Sequence, residues 1–284
     1  MRYGMPYKGS KNQITEKIID ILPVATHFYD LFGGGGAISH CAALSGKWEK
    51  VHYNELDPVV YAGFVKAIRG EFKNENRWIS RDDFMRLKDS DPYAALCFSF
   101  GNDLKTYCYS KEIEDFKKAF HYAVLFGDFS LLNNLGIHIN TSISERKEMS
   151  KAIKSAIKEL GFEARLQSLE RLESLERLES LERLECTNSS YDSVAILENS
   201  IVYCDPPYKS TNTYKSNFDH DKFYSWAAEQ HNIFISEYEM PDNFIEITSI
   251  QKRVLMDATR KGNQKQEKLF TNQTTFNKIK DVLL

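Results

Sequence analysis

Strand-like runs in this chain stop at glycine, acid or proline, and helical patterns fill the gaps between them. "THFYDLFGGGG" (26–36) passes from apolar and aromatic residues into four glycines, and "AISHCAALSG" follows with helical spacing. "KVHYNELDP" (50–58) ends in acids ahead of the helix-like "VVYAGFVKAIRG". Further on, "IVYCDPPY" (201–208) and "NIFISEY" (232–238) flank the helical "DKFYSWAAEQ". This alternation predicts parallel βαβ units, hence an α/β fold with a doubly wound sheet. Such a sheet binds ligands outside the carboxyl ends of its strands, where these glycines, acids and prolines fall. "FIEITSI" and "EKLFTNQ" are expected as later strands and "TTFNKIKDVLL" as a closing helix.

Residues 73–167 break the alternation. "EIEDFKKAFHYAVLFG" and "EMSKAIKSAIKELG" are helical by period and sit among polar loops. In the second, Met149, Ile153, Ile157 and Leu160 form an apolar face with Gly161 as the stop, and Lys151, Lys154 and Lys158 a stripe read first as a solvated face and second as phosphate contacts. The expected organisation is a sheet domain made of residues 1–72 and 186–284, a mainly helical insertion over 73–167, and a second insertion over 168–185. That last segment, "SLERLESLERLESLERLE", places leucine at every third position. Each step of three falls about 60° short of a helical turn, so the leucines spiral around a straight helix. A solvated helical extension is expected, with a three-faced solenoid or partial disorder as alternatives. Glu173 with Arg177 and Glu179 with Arg183 are spaced as i,i+4 pairs.

The candidate chemistry lies at the strand ends. Glycines after a strand let backbone approach a nucleotide-like ligand, although the dinucleotide fingerprint fails at Ser39, three residues beyond Gly36. Glu55 and Asp57 stand about twenty residues beyond the loop, where a doubly wound fold offers a carboxylate to ribose hydroxyls. An adenosine moiety fits, and a dinucleotide stays open. In "CDPPY" the prolines end the strand, since they cannot donate to a ladder. Asp205 and the Pro206 carbonyl are both acceptors and suit a group with two N–H donors, such as the exocyclic amine of a nucleobase. Tyr208 can stack on the ring. Asp-Pro-Pro also makes ordinary turns.

Taken together, these segments resemble the Dam-like S-adenosylmethionine-dependent DNA adenine-N6 methyltransferases. Phe32, Gly34 and Gly36 match the family's F-x-G-x-G pattern, with Asp30 as the preceding acid. "YKGSK" is similar to its N-terminal cofactor motif through Tyr7 and Lys11, and "NELD" to its acidic strand end through Glu55. "YCDPPY" matches the catalytic motif through Asp205, Pro206, Pro207 and Tyr208. The resemblance implies a Rossmann-like methyltransferase fold, S-adenosylmethionine as cofactor and double-stranded DNA as substrate. It also implies a target-recognition role for the helical insertion. Ahead of the catalytic motif the family commonly has an acid before an aromatic residue. Here Ser190 precedes Tyr191, which is expected to pack on the cofactor's adenine. The loop "KSTNTYKSNFD" (209–219) reads either as a cover for a flipped base or as a mobile surface loop.

Composition narrows the remaining classes. The formal charge is −3, and the leucine repeat alone holds six Glu and three Arg, so the rest of the chain is neutral. That balance argues against a wholesale polyanion binder, permits a local basic groove, and neither supports nor excludes nucleic acid. Arg260, Lys261, Lys265 and Lys268 are read first as a solvated hairpin and second as phosphate contacts. Five cysteines without CxxC spacing read as reduced thiols of a cytoplasmic protein with no zinc site, and no run approaches a membrane span. Nothing identifies a restriction partner. On residues alone, cytosine-N4 methylation, a non-catalytic nucleotide-binding module, a nicotinamide oxidoreductase and an RNA substrate all stay open.

Overall fold

A computed structural model describes residues 3–139, 146–159, 166–178, 181, 183–209, 218–253 and 264–283. In chain order the regular elements begin with α1 (Thr15–Ile21), β1 (His27–Asp30), α2 (Ala37–Ser45), β2 (Lys50–Asn54) and α3 (Pro58–Ile68). Six helices follow: α4 (Arg81–Leu87), α5 (Pro92–Phe98), α6 (Lys111–Phe126), α7 (Ser130–Asn134), α8 (Arg146–Glu159) and α9 (Gln167–Glu176). The remainder is β3 (Leu184–Thr187), β4 (Ser200–Cys204), α10 (His220–Glu229), β5 (Ile233–Glu237), β6 (Phe244–Arg253), β7 (Gln264–Asn272) and α11 (Gln273–Leu283). Two compact units result: residues 1–4, 9–64 and 181–284 form the first, and residues 5–8 and 65–180 the second.

The first unit is a seven-stranded sheet in the order β3-β2-β1-β4-β5-β7-β6. Strands β1 to β5 pair in parallel, and β7 runs antiparallel to both β5 and β6. Every residue of β4 and β5 is buried, as a parallel strand covered on both faces requires. Alternation assigns the faces. Phe28, Ile201, Tyr203 and Phe234 pack with Ile18, Ile38 and Ala42, whereas Tyr29, Val202, Cys204 and Ile235 pack with Phe223 and Ala227. Strand order reverses at β1, with β2 on one side and β4 on the other, which opens a crevice at their carboxyl ends.

The second unit is helical with an aromatic core, in which Trp78 stacks on Tyr109 at 5.7 Å and meets Phe98 edge-on at 5.5 Å. Ser80 and Asp91 cap α4 and α5 by accepting backbone N–H bonds, and Gly127 closes α6 in the left-handed region. In α8, Met149 and Ile153 are buried and Lys151 is exposed and paired with Glu148. Leu160 and Gly161 lie outside the described residues, as does the side chain of Ile157.

The leucine repeat departs from the expected solvated extension. Leu169, Leu172, Leu175 and Leu178 are all buried, because α9 packs against α5 and the turn at Glu71–Asn74. A drift of about 60° per step is tolerable over three steps when a short helix is covered across a broad arc. The end of the last hexad joins the sheet, where Leu184 enters β3 and Glu185 pairs with Lys50 at 3.1 Å. Arg177 donates to the Glu173 carbonyl instead of its carboxylate, and Glu179 lies outside the described residues.

Candidate active site

All the strand ends expected to carry chemistry meet along one edge of the sheet. After β1 the chain passes through Gly33, whose N–H donates to the Asn54 carbonyl at 2.8 Å. A Cβ there would sit 2.2 Å from the Tyr53 ring, and one on Gly36, at φ +70°, would sit 2.1 Å from the Phe64 ring. Glycine is required at both positions by close packing, and at Gly36 by a left-handed backbone that starts α2. The loop is thus drawn down onto β2 and α3. Glu55 completes it: Oε2 accepts the Gly34 N–H at 2.7 Å and Oε1 the Asp57 N–H at 2.8 Å. Asp57 itself caps α3 by accepting from Val59 and Val60, so of the two acids Glu55 is the one turned to the glycine loop.

Asp30 is 1% exposed, and only its Oδ2 is satisfied, by the Ser39 hydroxyl at 2.7 Å. Oδ1 makes no hydrogen bond, and burial pushes the carboxyl up to about 7. A buried acceptor left open costs stability, which makes it a candidate for a ligand's donor. The sign of its effect follows from linkage. An acid whose pKa rises from about 4 unfolded to about 7 folded costs stability progressively as pH rises between those values, and in full above them. Asp30→Asn lacks that penalty, so at about pH 8 it is expected to melt higher than wild type. Equal melting temperatures there would refute the burial argument.

Phe32 stacks on Tyr191 at 5.3 Å, and Tyr191 also meets Phe218, Phe223 and Trp226. Ser190 donates to Asp192, and Asp192 pairs with Lys222 at 2.6 Å, so a carboxylate stands after Tyr191 in place of one before it. Tyr7 belongs to the second compact unit. Arg260, Lys261 and most of the 209–219 loop lie outside the described residues, as does the side chain of Lys265. Lys268 pairs with Glu246 at 2.9 Å.

The segment after β4 is held at every step. Asp205 Oδ1 accepts from Lys11 Nζ at 2.8 Å, and its carboxylate is still 19% exposed. Pro206 is buried, and the Pro207 carbonyl accepts from His220 Nε2 at 2.8 Å, which fixes that nitrogen as the protonated one. The Tyr208 hydroxyl accepts from Lys11 and donates to Glu267, and its ring meets Tyr238 edge-on at 4.7 Å. Glu237 Oε1 accepts the Tyr238 N–H at 2.8 Å. Burial pushes Glu237 up to about 7, and its Oε2 makes no hydrogen bond. Burial also raises Asp205, against the pull of Lys11. Lys11 is 5% exposed, yet Asp205 and Glu267 outweigh its burial and hold it above the ordinary lysine range as a cation.

His220, Glu237 and Glu267 were not singled out from sequence. An acid at a strand's carboxyl end is a readable signal for Glu237. None existed for Glu267, which reaches this edge only because β7 runs against β5, setting Glu237 opposite Lys268.

The family model of the D12 class N6 adenine-specific DNA methyltransferases matches residues 7–237. The chain belongs to this family. It is an adenine-N6 DNA methyltransferase, a transferase that uses a methyl-donor cofactor and acts on DNA. Its sheet is the Rossmann-like methyltransferase fold. Among solved structures it is similar to a protein of Pyrococcus horikoshii assigned as an RNA methyltransferase, at 9% identity and TM-score 0.38, covering 93% of this chain and 85% of that one. It is also similar to the ribosomal-RNA methyltransferase AviRa of Streptomyces viridochromogenes, at 10% identity and TM-score 0.34, covering 91% and 82%. No curated protein sequence matches this methyltransferase.

Proposed function

We propose that this methyltransferase takes its methyl group from S-adenosylmethionine and delivers it to an adenine turned out of double-stranded DNA, with Asp205 and the Pro206 carbonyl holding the amine. The observation that carries this reading is a carboxylate still open to solvent but gripped on Oδ1 by a buried lysine at the sheet's carboxyl edge. The residues fit the cofactor. Asp30 Oδ1 is an unclaimed acceptor for its amino group, Glu55 an acid for its ribose hydroxyls, and Phe32 and Tyr191 an aromatic wall for its adenine.

Bound S-adenosylmethionine supplies a methyl carbon made electrophilic by its sulfonium. The protein has to improve a poor nucleophile, since the adenine N6 lone pair is delocalised into the ring. Asp205 and the Pro206 carbonyl accept its two N–H bonds, favouring a pyramidal nitrogen with a localised pair aimed at the methyl carbon. Asp205 and Glu267 share the Lys11 ammonium, and two carboxylates around one cation suit both a cationic donor and the positive charge that develops on nitrogen. The methylated nitrogen then sheds a proton, for which Asp205 is the adjacent carboxylate. N6 lies inside a duplex, so the base must be rotated out, and Tyr208 offers a ring to stack on it.

The helical unit is assigned to target recognition and the compartment to the cytoplasm, where the five free cysteines stay reduced. Among the described residues no helix is long and apolar enough to cross a membrane. The deciding experiment incubates the protein with unmethylated duplex and single-stranded DNA and labelled S-adenosylmethionine, then maps modified bases. Duplex-dependent N6-methyladenine at a recurring site is expected. Label on cytosine, or on single strands alone, would overturn the reading.

A further inference from the structure

We propose that Glu267 is a positioning residue for the methyl-transfer step: it shares the Lys11 ammonium with Asp205 and anchors Tyr208, leaving Asp205 free to accept from the substrate amine. This rests on the reading of Asp205 as the acceptor of the adenine N6–H. Glu267 lies on β7, beyond residues 7–237, the span matched to the family.

The geometry is specific. A single oxygen, Glu267 Oε1, lies 3.2 Å from Lys11 Nζ and also accepts from the Tyr208 hydroxyl. Lys11 Nζ in turn reaches Asp205 Oδ1 at 2.8 Å and the Tyr208 oxygen. Glu267 is 2% exposed and Lys11 5%, so neither can exchange its partner for water. Stability alone gives no reason for such an arrangement, since replacing a buried ion pair by well-packed apolar residues is often neutral or stabilising. A division of labour does. With one carboxylate, the ammonium would be committed to Asp205 and would compete with the substrate amine for it. With a second, buried carboxylate the ammonium is held between the two, and the Tyr208 ring is fixed through its hydroxyl.

Among the described residues the titratable groups facing Asp205 are Lys11 before α1, Asp30 on β1, Tyr203 and Cys204 on β4, Tyr208 after it, Glu237 and Tyr238 at the end of β5, and Glu267. Only Lys11 among them is cationic. The negative charge of Glu267 raises Asp205, which works ionised, so removing that charge lets Asp205 ionise at lower pH.

The test compares wild type, Glu267→Gln, Glu267→Asp and Asp205→Asn in steady-state methylation of duplex DNA across pH. Glu267→Gln keeps the shape of the side chain, and its kcat is expected to fall about 10²-fold with KM for DNA and for S-adenosylmethionine unchanged. Its acid limb should move to lower pH. Glu267→Asp restores the charge, so the limb should return and part of the rate with it. An unchanged kcat in Glu267→Gln overturns the proposal. So does a lower kcat with an unmoved limb, because packing alone would then explain the loss. Should Glu267→Gln not fold, Glu267→Asp decides, and a wild-type rate in it, with its carboxylate withdrawn by a methylene, counts against positioning. Full activity in Asp205→Asn instead sinks the underlying reading of Asp205, whatever Glu267 does.

Discussion

Asp205→Asn should transfer methyl groups at least about 10³-fold more slowly than wild type while still binding S-adenosylmethionine. The substitution keeps the shape of the side chain but replaces an anionic acceptor with a neutral amide that also donates. Two consequences compound. The amide lets go of the Lys11 ammonium, now left to Glu267 alone, and it presents N–H hydrogens to an amine that needs acceptors. Donor binding should persist because the residues assigned to it, Asp30, Phe32, Glu55 and Tyr191, are anchored elsewhere, on Ser39, the glycine loop and an aromatic cluster. Single-turnover transfer and equilibrium binding, measured side by side, separate the two. A variant that loses both together would show Asp205 to be a binding residue first.

Lys11→Met is expected to be the most destabilising single change at this edge, by about 3–5 kcal/mol, because it strands buried carboxylates without their cation. Methionine fills most of the lysine's volume, so the loss is electrostatic. The deficit should shrink as pH falls: Asp205, already raised by burial, loses the pull of Lys11, and its protonation relieves the uncompensated charge. Urea denaturation at neutral and mildly acidic pH reads this directly. Any residual activity should show its acid limb moved to higher pH, opposite to the shift expected for Glu267→Gln. A deficit independent of pH would mean that Lys11 contributes packing alone.

How much of this was legible beforehand depends on how local the cause is. Strands β1, β2, β4 and β5 could be read because each carries its own pattern, and the clearest stops are residues that interrupt a ladder: Pro206 and Pro207 after β4, glycines after β1. Gly36 was readable as a loop glycine, but its conflict with Phe64 was not, since that contact joins the start of α2 to α3. Glu55 and Asp57 were equivalent on paper, and only the structure separates an acid bonded to the glycine loop from one that caps a helix. The repeat misled because period three matches neither regular structure. Burial by α5 and the neighbouring turn, and pairing with β2, chose helix for its first hexad and strand for the end of its last. Those choices belong to the surroundings, and nothing within six residues could announce them.

The reversed direction of β7 also bears on how the enzyme comes into being. A nascent chain that has been synthesised as far as Glu237 holds all five parallel strands, the glycine turn and the proline-rich corner, yet its lysine still has one counter-charge too few. The centre is finished only once residues 264–272 have left the ribosome and threaded between β5 and β6. On the role proposed for Glu267, a polypeptide that stops short of β7 has its Asp205 and Lys11 in place but lacks the second carboxylate, so the order of synthesis delays reactivity until the whole sheet is in place.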